Sequence, residues 1–171
     1  FVITESGGIP VPGGGGELRL PVLVGEKGSC WCTLRITGTP GHASQPYATD
    51  NALVTASEVV RRIAEYRPQT DIHATWRRFL EGMGLPDEMI APLLDPDRFL
   101  DALADLPVGM ARQFHACTHT TFAPTVVHGG TKTNVIPDTV DIEIDIRTLP
   151  GQVAADVQRL LDQALGDDLR D

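Results

Sequence analysis

Residues 29–37, Ser-Cys-Trp-Cys-Thr-Leu-Arg-Ile-Thr, alternate strictly in polarity. Cys30, Cys32, Leu34 and Ile36 fall on one face, Trp31, Thr33, Arg35 and Thr37 on the other, which is the period of a strand. Residues 139–148 repeat the pattern more sharply: Val140, Ile142, Ile144 and Ile146 point one way, Asp141, Glu143, Asp145 and Arg147 the other. Such alternation belongs to a sheet with one buried and one solvated face. A third β-rich run spans 120–128, and Pro124 within it predicts an edge strand, because proline has no N–H for a ladder. Between the first two runs the period changes to that of a helix. Ala52, Ala56, Val59, Val60 and Ile63 form one stripe after Asp50, a plausible N-cap, and the helix ends before Pro68.

A second helix follows Pro150-Gly151, with Val153, Val157, Leu160, Leu161 and Ala164 in register and Gly166 as its stop. Residues 69–118 read as a helical excursion. Trp76, Phe79 and Leu80 give one apolar face; Asp87 after Pro86, and Asp95 before Pro96, mark helix starts; Phe99, Leu100 and Leu103 add a further face over 97–104. The order β-α-(helical insertion)-β-β-α, completed by one more strand, is the split β-α-β-β-α-β of ferredoxin-like folds. The expected class is therefore α+β, an antiparallel sheet with helices on one face and a helical insertion. The closing Asp-Asp-Leu-Arg-Asp is too short and too charged to supply the fourth strand, which is expected to be missing from this segment.

Ahead of the first long strand, residues 1–6 are a short apolar run with β character. Residues 7–16 then hold six glycines and two prolines, the composition of a flexible linker. The four consecutive glycines are not followed by Gly-Lys-Ser/Thr and a helix, so they make no phosphate loop. The expected division is 1–25 as the end of one domain plus linker, and 26–171 as a second domain carrying the insertion at 69–118. Starting at Phe1, the chain reads as a piece of a longer protein.

The remaining composition narrows the function classes. Of 171 residues, 14 are Lys or Arg and 23 Asp or Glu, a net charge of −9, which argues against a nucleic-acid or anionic-membrane surface. No apolar run approaches the ~20 residues of a membrane span, and no secretory leader opens the chain. Three cysteines, Cys30, Cys32 and Cys117, cannot all pair and suit a reducing, cytoplasmic setting. His115, Cys117 and His119 would share one face if their segment were a strand. Three near-adjacent groups rarely close a tetrahedral metal site, so packing is the favoured reading there. No Gly-x-Ser-x-Gly elbow supports a serine hydrolase.

Three segments carry more than fold. Gly25-Glu-Lys-Gly28 leads into the first strand, and Gly38-Thr-Pro-Gly-His-Ala-Ser44 follows it. Gly129-Gly-Thr-Lys-Thr-Asn-Val-Ile-Pro137 leads into the strand that ends Asp145-Ile-Arg147 before Leu-Pro-Gly151. In this order they resemble the lid or dimerisation domain of the dinuclear zinc hydrolases that include aminoacylase, carboxypeptidase G, acetylornithine deacetylase and succinyl-diaminopimelate desuccinylase. The resemblance covers roughly residues 26–66 and 119–166. It implies a homodimer acting on small N-acyl amino acids or short peptides, with two zinc ions, or cobalt or manganese in their place, in the intact enzyme.

The resemblance also implies roles for individual residues. His42 matches a lid histidine that reaches the partner subunit's active site and stabilises the tetrahedral oxyanion. Asn134 matches an asparagine whose amide contacts substrate. Arg147 matches an arginine that clamps the substrate carboxylate with its bidentate fork. Glu5, in Thr-Glu-Ser-Gly-Gly, matches an acidic zinc ligand. The family's other metal ligands and its glutamate base have no counterpart in these residues, so the chain alone is expected to be inactive and to hold no metal.

Each assignment has a plainer counterpart. His42 also reads as a surface loop histidine, Arg147 as a balance for the acids around it, Asn134 as a turn residue, and Glu5 as an exposed acid. As a whole, the chain also reads as a stand-alone ferredoxin-like regulatory module that dimerises and binds an amino acid.

Overall fold

In the computed structural model, residues 10–169 are described. In chain order the elements are strands β1 (Val11–Pro12), β2 (Leu18–Arg19), β3 (Gly28–Thr37) and β4 (Gly41–His42), and helices α1 (Ala52–Glu65), α2 (Ala74–Met83), α3 (Asp87–Leu93), α4 (Phe99–Ala104) and α5 (Val108–Thr118). Strands β5 (Thr121–Gly129), β6 (Val135–Ile136) and β7 (Thr139–Thr148) come next, then helix α6 (Ala154–Leu165) and a 3-10 turn at Asp167–Leu169. They group into two compact units, one from Phe1–Lys27 with Gln69–His119, the other from Gly28–Pro68 with Thr120–Asp171. Among the described residues no helix is long and apolar enough to cross a membrane.

The second unit is built on an antiparallel sheet in the order β3-β7-β5. This is the ferredoxin-like arrangement, with the first and third long strands adjacent and the second at an edge, as Pro124 predicts. A fourth strand would lie against the free edge of β3, where none is found among the described residues. The alternation along β7 fixes the register. Val140, Ile142, Ile144 and Ile146, at most 1% exposed, pack against Ala52, Ala56, Val59 and Ile63 of α1 and Val157 and Leu161 of α6. Cys30, Cys32 and Leu34 complete the layer half-buried, and the cysteines are free thiols. The ladder with β5 slips between Pro124 and Val126, so Thr125 is an extra residue in a bulge.

Two helix starts differ from expectation. Asn51, not Asp50, caps α1, its Oδ1 accepting from Leu53 N–H at 3.0 Å. Val153 is the N-cap of α6 and 62% exposed, outside the apolar stripe, while Asp156 accepts its backbone N–H at 3.0 Å.

The first unit has an aromatic core. Trp76, Phe99 and Phe114 are at most 4% exposed, and the Trp76 ring meets Phe114 edge-on at 5.0 Å and Phe99 at 6.0 Å. The indole N–H donates to the Leu93 carbonyl at 2.9 Å, which satisfies the polar atom of the buried ring. His73 caps α2 through Nδ1, accepting from Trp76 N–H at 3.2 Å, and its Nε2 bonds the Cys117 carbonyl at 2.9 Å. Asp87 opens α3 as expected. Asp95-Pro96 instead forms a turn in which Asp95 Oδ1 accepts from Asp97 N–H at 3.0 Å, and α4 begins at Phe99. The glycine-rich stretch read as a flexible linker forms, over its described part, a hairpin: β1 pairs with β2, and Gly16 takes φ +82° in the turn. Gly14 N–H then donates to Met83 O at 3.0 Å.

The end of the helical excursion expected over 69–118 is helical, and the alternate His, Cys and His do not share a strand face. His115 and Cys117 lie on α5, and His119 is its C-cap. One helical turn brings the two imidazoles together, stacked at 4.1 Å with planes 1° apart. His119 is 1% exposed, with Thr118 Oγ1 and the His115 carbonyl at Nδ1 and Thr70 Oγ1 at Nε2. Burial, and then the neighbouring His115, push its pKa down to about 4. A neutral, hydrogen-bonded core histidine is what this geometry describes.

Candidate functional site

Two loops meet at the end of the sheet where β3 finishes and β7 begins. The Gly38–Ser44 segment forms β4, and the Asn134–Pro137 segment forms β6. They pair antiparallel, with Gly41 opposite Ile136 and His42 opposite Val135. Ala43 N–H donates to the Asn134 carbonyl at 3.0 Å. Ile136 is 5% exposed and anchors the pair from below, while His42 and Asn134 stay exposed. Two motifs 92 positions apart (134 − 42) in sequence are thus held side by side by backbone bonds.

The His42 ring is fixed by Ser44. The Ser44 backbone N–H donates to Nδ1 at 3.2 Å, and Ser44 Oγ lies 2.7 Å from the same nitrogen. An Nδ1 that accepts from a backbone amide carries no proton, so in the neutral ring the network assigns the N–H to Nε2. Nothing in the sequence reading gave Ser44 a role; its signal was its place two residues after His42. The same loop continues through Tyr47, 95% exposed, to Ala48 at φ +54°, a conformation unfavourable for a residue with a Cβ.

Arg147 lies at the other end of the sheet. It pairs in register with Ser29, whereas the His42 loop leaves from the Thr37–Thr139 pair. Eight residues of β7 (147 − 139) separate the two, roughly 26 Å at strand rise. Within one chain the structure therefore unites His42 with Asn134 and does not unite either with Arg147. Arg147 Nε and Nη2 donate to the two oxygens of Asp145 at 2.6 and 2.8 Å, and Nη1 donates to Ser29 Oγ at 2.6 Å. The guanidinium also lies over the Trp31 ring, 5.9 Å from its centre. Arg147 first, and then the Trp31 indole N–H, hold the Asp145 carboxyl below its ordinary range. Three of five guanidinium N–H groups are used, leaving two for a ligand. The plainer reading of Arg147 as charge balance is correct as far as Asp145 goes, although the partner is on its own strand rather than across.

Glu5 lies outside the described residues. Among the described residues no group of three His, Cys, Asp or Glu side chains is placed to hold a metal ion. The described residues therefore do not fit a zinc site by themselves.

The family model of the peptidase dimerisation domain matches residues 24–171. The chain belongs to that family. The dimerisation domain is the part of M20 peptidases and amidohydrolases through which subunits associate. Its fold is shared with an M20 family metallo-carboxypeptidase from Sulfolobus solfataricus (16% identity, TM-score 0.50, 82% of this chain and 40% of that one). It is likewise similar to the dipeptidase Dug1p from Saccharomyces cerevisiae (14% identity, TM-score 0.51, 81% of this chain and 31% of that one). An aminobenzoyl-glutamate utilization protein from Klebsiella pneumoniae matches at 13% identity and TM-score 0.48, over 81% of this chain and 24% of its own. The dimerisation domain thus spans well under half the length of these proteins. No curated protein matches the sequence.

Proposed function

We propose that this domain is the dimerisation and lid module of a zinc-dependent amide or peptide hydrolase acting on N-acyl amino acids or short peptides. In this reading His42 donates from Nε2 to the oxyanion that forms when the amide carbonyl is attacked, and the Asn134 amide contacts the same substrate. Arg147 holds the substrate carboxylate. The observation that carries the reading is the His42–Ser44 contact, because it leaves an exposed imidazole with its proton on the outward-available nitrogen, as an oxyanion donor requires. Residues 1–25 would then be the end of the catalytic domain and its connection, metal ligands would come from outside the described residues, and the three free thiols favour a cytoplasmic setting.

The roughly 26 Å along β7 supports a division of labour between two copies of the chain. His42 and Asn134 of one protomer would serve the active site of the partner, and Arg147 its own. The free edge of β5 and the adjoining face of α1 are the surface for that pairing: Leu53, Val54 and Val127 are 50%, 64% and 51% exposed there. An unpaired edge beside exposed apolar side chains favours a second copy, and the bulge at Thr125 limits how far a continuous ladder can run.

Mixed dimers test this arrangement. Subunits of the intact enzyme carrying His42→Ala are re-associated with subunits carrying Arg147→Ala. If the two residues serve opposite sites, half the dimers are mixed and each has one undamaged site, so activity recovers to about one quarter of wild type. Recovery no better than the average of the two parents would show that both residues serve one site. The second reading, a regulatory module without chemistry, predicts amino-acid binding and no dependence of any hydrolysis on His42.

A further inference from the structure

The solvated face of the sheet carries a feature away from the surface proposed for pairing. Trp31 is 76% exposed on β3, among charged neighbours, in a molecule whose other tryptophan is 2% exposed. Its position is set by register: Ser29 faces Arg147 and Trp31 faces Asp145 in alternate cross-strand pairs, on the same face of the sheet. Asp145 takes the Trp31 indole N–H and both Arg147 donors, so one carboxylate holds an indole and a guanidinium side by side. Beside the indole lies a depression of about 330 Å³, walled by Trp31, Thr33, Thr125, Glu143 and Asp145. The bulge opens it: Thr125 is the unpaired residue, and its hydroxyl turns back to the Glu143 carbonyl at 3.3 Å. Bulges beside binding sites commonly re-aim side chains in this way.

Charge decides what would enter. Asp145 is neutralised by Arg147, and Asp141 is tied to Arg35 at 2.8 and 2.9 Å. Among the described residues the one ion pair of Glu143 is with His128, at 3.6 Å, too far for a hydrogen bond. With a substrate carboxylate on Arg147 the cluster of Arg147, Asp145, Glu143 and that carboxylate sums to +1 − 1 − 1 − 1, or −2. A cationic group reduces the imbalance, whereas an aromatic or aliphatic group would desolvate Glu143 without a partner. The indole favours the same choice: its ring already lies beside one cation, the Arg147 guanidinium 5.9 Å from its centre, and the quadrupole attracts cations at both faces.

We propose that Trp31, Thr125 and Glu143 form a specificity pocket for a basic side chain, lysine or arginine, on the substrate residue whose carboxylate Arg147 holds. The proposal rests on the reading of Arg147 as the carboxylate clamp. It assigns the enzyme to substrates with a basic residue at the carboxylate end of the scissile amide. Trp31 supplies the cation-attracting wall, Glu143 the counter-charge, and Asp145 is a positioning residue that keeps indole and guanidinium in place.

The test uses the intact enzyme with N-acetyl and alanyl derivatives of lysine, arginine, alanine, phenylalanine and glutamate, read as kcat/KM. Lysine and arginine are expected to exceed alanine by about tenfold or more, the scale of one partly desolvated cation–π contact. Trp31→Ala, and independently Glu143→Gln, should bring the lysine-to-alanine ratio toward unity, mainly through KM. An unchanged ratio in both variants, or a native preference for phenylalanine or glutamate, overturns the pocket. If the ratio behaves as expected while Arg147→Lys leaves KM unaltered for every substrate, the pocket stands and the carboxylate clamp falls. Turnover of none of these compounds overturns both.

Discussion

The two ends of the sheet present their candidate residues in opposite ways. At the His42 end the backbone does the holding: two short strands pair, and the imidazole needs only Ser44 to fix its orientation. At the Arg147 end side chains do it, with Asp145 bridging indole and guanidinium above a regular ladder. The first arrangement leaves a donor uncommitted; the second leaves a cation largely compensated. In the proposed function the difference means that a donor for a transient oxyanion is kept in reserve on a loop, whereas a group that orients a permanent charge is pre-set on a rigid strand. It also separates the two by most of the sheet's length, which makes the pairing of subunits a chemical requirement in the proposed function.

The sharpest way to break the comparison is at its uncommitted end. His42→Ala in the intact enzyme should lower kcat by about 10²–10³, the usual effect of removing one oxyanion donor, with KM little changed. A variant with wild-type kcat would return His42 to the status of a loop residue. At the other end, Arg147→Lys replaces a fork by a point charge that cannot satisfy Asp145 and a ligand together, and should raise KM for carboxylate-bearing substrates about tenfold while kcat falls less. Equal loss in kcat with constant KM would mean that Arg147 acts in the transition state and that the contrast between the ends is wrong.

Smaller effects sharpen the picture. Ser44→Ala removes one hydrogen bond at His42 but leaves the backbone donor, so a loss in kcat of roughly fivefold is expected, the equivalent of about 1 kcal/mol. A loss as large as that of His42→Ala would make Ser44 the controlling group instead.

The smallest effect separates chemistry from stability in acid. The folded pKa of His119 is depressed to about 4 from the model-compound 6.5, so protonation favours unfolding. Its contribution to stability is complete above pH 6.5 and is lost progressively as pH falls toward 4. Thermal melts should show the midpoint falling over that window, and His119→Gln should flatten the fall. A midpoint that does not change between pH 6.5 and 4 would show that burial of this ring is not felt by the unfolding equilibrium.

How much was written in the chain varies by segment. The alternation in 139–148 dictated a buried face and a solvated face, since a one-residue slip would put four aliphatic side chains into water. Pro124 dictated an edge, and the stripe from Ala52 to Ile63 dictated a helix. Segment 115–119 was legible in kind, as the end of a helical excursion, but the alternate His, Cys and His did not show that a helix buried through Phe114 and Thr118 would stack His115 on His119. The glycine run is a different case: its composition permits flexibility, yet over its described part pairing of Val11 with Arg19 and a bond to Met83 give it a defined shape.

The site divides along the same line. Residue types and motif order by themselves determined which side chains are candidates for chemistry, because imidazole, amide and guanidinium are fixed by the letters. Only the tertiary structure decided who stands beside whom. Strand register placed Trp31 against Asp145 and Arg147, a bulge opened the hollow beside Glu143, and the β4–β6 pair joined His42 to Asn134. These are long-range relations, and a sequence read locally contains the periods that make strands but not the register that sets one strand's residues against another's.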